Sequence, residues 1–307
     1  MTPITLALDW TPNVNHIGFF VAQQMDFYKE NQLDVRFITP ADDNYQITPA
    51  KKVELGNADF TICPMESVIS YRTKSRPFPL TAVATIFQKD LSAIAVKKES
   101  SISRPKELDG KVYASYKARY EDKIVQEMIK NDGGNGTILV EYPDKLGIWE
   151  RLVDGKADAT WIFLNWEGIQ AQNYEKEFIY FRMNDFDIPY SYSPVIAGND
   201  LLYRSREKEY KQFIQATKQG YLYAADHIQE AAQILADVIP ESERNIDLIK
   251  SIEFSVGHLG NESTWGRMDE NNIQTFLSWL KRHSLEKATL SPCDLVTSEF
   301  LYNEDRI

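Results

Sequence analysis

Cysteine is scarce: Cys63 and Cys293 are the only two in 307 residues. That excludes a disulfide framework, and neither thiol has a second cysteine at zinc-ligand spacing. Each is expected to serve as a small buried apolar side chain, a single bridge between them being the alternative. Basic residues are in deficit as well, 34 Lys and Arg against 45 Asp and Glu, for a formal net charge of −11. Nucleic-acid binding needs clustered cations that release counterions, so this balance argues against it. No apolar run approaches the ~20 residues needed to cross a bilayer, which excludes a spanning helix. The glycines form neither a dinucleotide fingerprint nor a phosphate-binding loop, and no Gly-x-Ser-x-Gly elbow occurs. Of the four histidines, His227, His258 and His283 lie far apart on helical stretches without carboxylates at ligand spacing, so no metal site and no cofactor are expected.

What remains is an ordinary globular composition, 43% hydrophobic and 26% charged. The length exceeds what one core usually supports, so two lobes or one large α/β domain is expected. Strand-like and helix-like runs alternate over most of the first two hundred residues, which points to α/β architecture with parallel strands. Ile4–Leu8, Leu33–Ile38, Asp59–Cys63 and Leu80–Phe87 read as strands, with helices over Phe19–Asn31, Thr48–Leu55 and Glu66–Lys74. The grammar repeats with strands at Ile94–Val96, Val112–Ala114, Thr137–Glu141 and Ala157–Phe163, and helices at Glu121–Asn131 and Ile148–Val153. Beyond Glu207 the pattern is mostly helical. The N-terminus MTPITLALDW has no basic stretch followed by an apolar one. A native start there implies a cytoplasmic protein; removal of a signal segment implies a periplasmic protein or a cell-surface lipoprotein.

The run Leu8–Gln23 (LDWTPNVNHIGFFVAQ) is polar and aromatic where the first strand hands over to the first helix. Ligands of open α/β sheets bind there, outside the carboxyl ends of strands. This run resembles the opening of the thiamin-pyrimidine binding family, which includes formylaminopyrimidine-binding receptors of ABC importers and, more distantly, fungal thiamin-pyrimidine synthases. The resemblance continues through Val53–Phe60, Ala157–Gly168, Pro194–Ala197 and Trp265–Met268. It implies the type II periplasmic-binding-protein fold: two α/β lobes joined by two hinge crossovers, a ligand cleft between them, and closure about segments near Ile86–Ala95 and Ser193–Ala197. Lobe 1 is expected over residues 1–90 and 196–307, and lobe 2 over 91–195. The implied function is binding of a formylaminopyrimidine or hydroxymethylpyrimidine, as a monomer working with an ABC permease.

Candidate ligand residues follow from chemistry and resemblance together. Trp10 offers a stacking face, Asn13 offers directional polar groups, and Gly18 allows close backbone approach. His16 either bonds a ligand substituent or caps its helix. Glu167, after the strand Ala157–Phe163, corresponds to the glutamate that takes the pyrimidine's amine and ring nitrogen in the family; its alternative is a helix N-terminal glutamate. Trp166, Tyr190, Tyr192 and Trp161 are further aromatic candidates. Tyr116, within the polar stretch Tyr113–Arg119, could meet a phosphate or formyl group through backbone amides, or lie in a solvated loop. Glu66 is either a contact or a helix cap.

The rival expectation is an enzyme of thiamin-pyrimidine biosynthesis or salvage. Extending the resemblance across Cys63–Pro79 sets Met65 where the synthases carry a cofactor-holding lysine and Ile69 where they carry a consumed histidine. No cysteine cluster accompanies them. An aliphatic side chain cannot replace a Schiff-base amine.

Overall fold

The computed structural model describes residues 1–302. Its strands are β1 (Thr2–Ala7), β2 (Leu33–Ile38), β3 (Phe60–Cys63), β4 (Leu80–Thr85), β5 (Ser92–Lys97), β6 (Val112–Ala114), β7 (Leu139–Glu141), β8 (Ala159–Phe163), β9 (Phe178–Arg182) and β10 (Val195–Asn199). Its α-helices are α1 (Ile17–Gln24), α2 (Phe27–Glu30), α3 (Pro49–Glu54), α4 (Met65–Thr73), α5 (Glu121–Asn131), α6 (Ile148–Val153), α7 (Glu167–Gln170), α8 (Glu207–Asp226), α9 (Ile228–Val238), α10 (Leu248–Leu259) and α11 (Glu270–Arg282).

The chain divides into two compact units. The first holds Met1–Asp90, Tyr192–Ile273 and the residues from Ala288; the second holds Leu91–Ser191 and Gln274–Lys287. Two segments therefore pack otherwise than the sequence suggests. Tyr192 joins the first unit, where its carbonyl accepts the Met65 N–H at 3.0 Å and its hydroxyl accepts the Asp269 N–H at 2.6 Å. The end of α11 and its following turn join the second unit: His283 Nδ1 lies 3.0 Å from Glu127 on α5, and Glu286 accepts from Tyr120 Oη at 2.7 Å. Amphipathic periodicity fixes that a helix packs, not on which body it packs.

The first unit is built on the sheet β2-β1-β3-β10-β4, and the second on β7-β6-β8-β5-β9. Both have one design. β1 pairs in parallel with β2 and β3, and β6 pairs in parallel with β7 and β8. In each sheet the fourth strand, β10 or β5, runs antiparallel to both neighbours. That strand is the one nearest the point where the chain enters the unit from the other. Both the central strand Phe60–Cys63 and the edge strand Leu80–Thr85 are buried along their whole length.

The expected helix Phe19–Asn31 is two helices. Asp26 adopts a left-handed φ of 59°, which ends α1 and restarts the chain as α2. Gly18 does permit a close approach, but to Tyr221 of α8: a Cβ at Gly18 would lie 2.2 Å from that ring.

Candidate functional site

In the first unit, parallel pairing of β1 with β3, Ala7 opposite Thr61, sets the loops after both strands side by side. β10 adds its start to the same edge, with Val195 opposite Cys63. Four candidates come from these loops: Trp10, Asn13 and His16 after β1, and Glu66 in the first turn of α4. Asn13 is buried and engaged within its loop; its Oδ1 accepts from Asn15 N–H at 2.9 Å and its Nδ2 donates to the Thr11 carbonyl at 3.0 Å. His16 is wholly buried, and both ring nitrogens are occupied. Asn13 N–H donates to Nδ1 at 3.3 Å, so Nε2 carries the proton and donates to Asp9 Oδ1 at 2.8 Å. Of the two expectations for His16, the observed contacts are those of a residue that fixes its own loop.

Asp9 and Tyr45 emerge from the coordinates alone. Asp9 is partly exposed, and its carbonyl accepts the Tyr45 hydroxyl. The Tyr45 ring packs on Trp10 with centroids 5.8 Å apart and planes at 57°. Trp10 is thus backed on one side and half-buried, a suitable wall for a flat ligand. Burial pushes the Tyr45 hydroxyl far up its range, and the Asp9 and Asp43 carboxylates push in the same direction. Cys63 is buried and its thiol is pushed up likewise, by burial first and then by Asp9 and Glu66. Cys293 is exposed, contrary to the expected burial, and both thiols are free.

The second unit repeats the arrangement. Parallel pairing of β6 with β8, Ala114 opposite Thr160, sets the loops after them together. Glu167 opens α7 and is partly exposed; its Oε2 accepts the Phe163 N–H at 2.9 Å, so the carboxylate braces the turn from which it projects. Trp166 is buried at that turn. Tyr190 is buried too, with edge contacts to Trp161 at 5.1 Å and Phe276 at 5.5 Å. Tyr116 packs on the buried cluster Ala114, Ile148 and Ala157.

The backbone N–H groups from Ser115 to Ala118 in the loop after β6 are engaged by the protein itself. Glu121 Oε1 accepts the Tyr116 N–H at 3.0 Å and the Tyr113 hydroxyl at 2.8 Å, and its Oε2 accepts the Ala118 N–H at 3.0 Å. Ser115 Oγ takes the Lys117 N–H at 3.0 Å. The amides read as a phosphate nest are filled by the chain's own carboxylate. Burial raises the Glu121 pKa, and these donors oppose the rise. Arg119 is likewise committed, 2.9 Å from Glu286.

A separate groove of about 440 Å³ lies along α8, lined among others by Asn31, Lys218, Tyr223 and Glu262. None of the candidate ligand residues lines it. Among the described residues no group of three or more His, Cys, Asp or Glu could hold a metal ion, and no helix is long and apolar enough to cross a membrane.

Residues 13–231 match the family described as NMT1/THI5 like. The chain belongs to this family. A formylaminopyrimidine-binding protein of Halalkalibacterium halodurans is 23% identical over 291 residues, covering 91% of this chain and 85% of that one. A 4-amino-5-hydroxymethyl-2-methylpyrimidine phosphate synthase of Legionella pneumophila is 22% identical over 247 residues, covering 78% and 74%. Among solved structures, a conserved Candida albicans protein with the generic periplasmic-binding-protein fold superimposes with a TM-score of 0.72 at 16% identity, over 97% of each chain. The two α/β units of this NMT1/THI5-like chain thus have the periplasmic-binding-protein fold. Met65 and Ile69 are each wholly buried on α4, side chains of the apolar core.

Proposed function

We propose that this chain binds a thiamin-pyrimidine precursor of the formylaminopyrimidine or hydroxymethylpyrimidine type and does not convert it. One observation carries the reading: likeness to a formylaminopyrimidine-binding protein runs through 91% of the chain. Each unit has a carboxylate and an aromatic in the segments that follow parallel-paired strands: buried Glu66 and half-buried Trp10 in one, half-buried Glu167 and buried Trp166 in the other. A flat ring bearing amine donors suits that chemistry. In this proposal binding is coupled to the hinge closure that the family resemblance implies. The liganded form would then deliver its cargo to an ABC permease, outside the cytoplasm.

The synthase relative favours a second reading, catalysis in pyrimidine synthesis. Against it stand Met65 and Ile69, buried and aliphatic or thioether, where a cofactor-holding amine and a reactive imidazole would be required. Calorimetry with 4-amino-5-hydroxymethyl-2-methylpyrimidine and its formylaminomethyl analogue tests the binding reading. Mass spectrometry of small molecules released from the purified protein separates the two. Saturable binding of either pyrimidine supports the proposal; absence of binding, or release of pyridoxal phosphate with iron, would overturn it.

A further inference from the structure

We infer that Asp9, positioned by His16, selects the charge of the ligand: it accepts a hydrogen bond from an amine-bearing neutral or cationic heterocycle and disfavours the phosphorylated form. This inference rests on the pyrimidine reading above.

The geometry is that of a preorganised acceptor. His16 is wholly buried, its Nδ1 held by the Asn13 N–H, and its Nε2–H fixes Asp9 Oδ1 at 2.8 Å. Tyr45 holds the Asp9 carbonyl from the other side of the loop. The residue is thus pinned through both side chain and backbone. Among the described residues Oδ2 accepts no hydrogen bond from the protein, and the Asp9 side chain is 22% exposed. A carboxylate locked in one rotamer with one oxygen open loses little conformational entropy when it accepts a donor.

The surroundings set the sign of the preference. Asp9 acts on the Cys63 thiol at the end of β3, as Glu66 on α4 does; on the Tyr45 hydroxyl in the loop after β2, as Asp43 does; and on the Tyr221 hydroxyl of α8. Asp43 has Lys52 at 2.9 Å. Asp9 has no lysine or arginine partner among the described residues; its partner is the His16 imidazole. A phosphate brought to this edge meets like charge, whereas an amine meets a charge-assisted acceptor. On the second unit, the amides after β6 that could have welcomed a phosphate are filled by Glu121.

The test is calorimetry on the full chain with three probes: 4-amino-5-hydroxymethyl-2-methylpyrimidine, its phosphate, and the formylaminomethyl analogue. Wild type is expected to bind the two unphosphorylated probes at least about ten-fold more tightly than the phosphate, and Asp9→Asn is expected to weaken them by about ten-fold while leaving the phosphate unchanged or improved. The narrowed ratio is the diagnostic readout, because a merely loosened loop would weaken all probes together. Equal weakening, no weakening, or a wild type that binds the phosphate as tightly as the alcohol overturns the inference while leaving the pyrimidine reading intact. Failure of all three probes to bind wild type overturns both. Should Asp9→Asn not fold, Asp9→Glu retains the charge and must retain the preference; loss of the preference in that variant counts against the inference.

Discussion

Gly220 of α8 meets the backbone of α1 at Gly18 with no room for a side chain between them. A Cβ on Gly220 would lie 2.0 Å from the Gly18 carbonyl oxygen and 2.9 Å from the Ala22 nitrogen. Neither atom can move without moving the helix. The same crossing carries Tyr221, whose hydroxyl donates to the Asn15 carbonyl at 2.6 Å and so ties α8 to the loop holding His16. Gly220→Ala is therefore expected to cost ~1–3 kcal/mol or more, as overpacking does, even though alanine favours helices. Thermal unfolding followed by circular dichroism should show a transition lowered by several degrees. An unchanged or raised midpoint would mean that the two helices separate at little cost.

Much of this architecture is legible in the sequence because its signals are local. The Gly56 and Gly155 stops, both at positive φ, end helical turns before strands as their spacing suggests. The predominantly apolar, β-branched runs in β3, β4 and β5 mark strands buried on both faces. What escapes is tertiary. Tyr45 reaches Asp9 across 36 positions from a loop with no periodicity. Glu121 looks like a helix-opening carboxylate until its oxygens are seen filling the loop before it. β9 passes unnoticed, since Phe178–Arg182 has no flanking turn signature beyond its aromatic run. Asn13 and His16 lie in the loop after β1. Their donors and acceptors turn inward, a choice that depends on which partners the folded loop supplies.

Acid should loosen the second unit through Asp109 and Asp132. Asp109 accepts from the Asn135 N–H at 2.5 Å, the Thr137 N–H at 2.7 Å and the Thr137 hydroxyl at 3.0 Å, pinning the glycine-rich turn after α5. Backbone donors, Asn135 first, hold its carboxyl below the ordinary value of 3.8. Asp132 is held down likewise, by the Arg104 guanidinium first. A carboxyl whose folded pKa lies below its unfolded one contributes stability above the unfolded value and loses it as pH falls through the folded one. Glu121 has the opposite sign, because burial raises its pKa and protonation relieves that penalty. Asp109→Asn leaves Glu121 in place, so comparing the variant with wild type isolates the Asp109 contribution. The variant should unfold at lower temperature near neutral pH and lose less on acidification below 3.8. Parallel melting curves at every pH would remove Asp109 from the acid response.

Glu167→Gln separates bracing from recognition. The carboxylate accepts the Phe163 N–H through Oε2, and glutamine offers an amide oxygen for the same bond, so the turn between β8 and α7 should survive. What glutamine cannot supply is charge. If Glu167 takes the amine and a protonated ring nitrogen of the pyrimidine, the variant should lose ~1.5–3 kcal/mol of affinity, roughly ten- to a hundred-fold in Kd. Its melting temperature should stay close to that of wild type. Calorimetry with the hydroxymethyl and formylaminomethyl pyrimidines reads the first quantity, and circular dichroism reads the second. Unchanged affinity with unchanged stability would leave Glu167 a solvated helix-opening carboxylate. A fall in both would make it a structural brace whose loss reaches the ligand only through the turn.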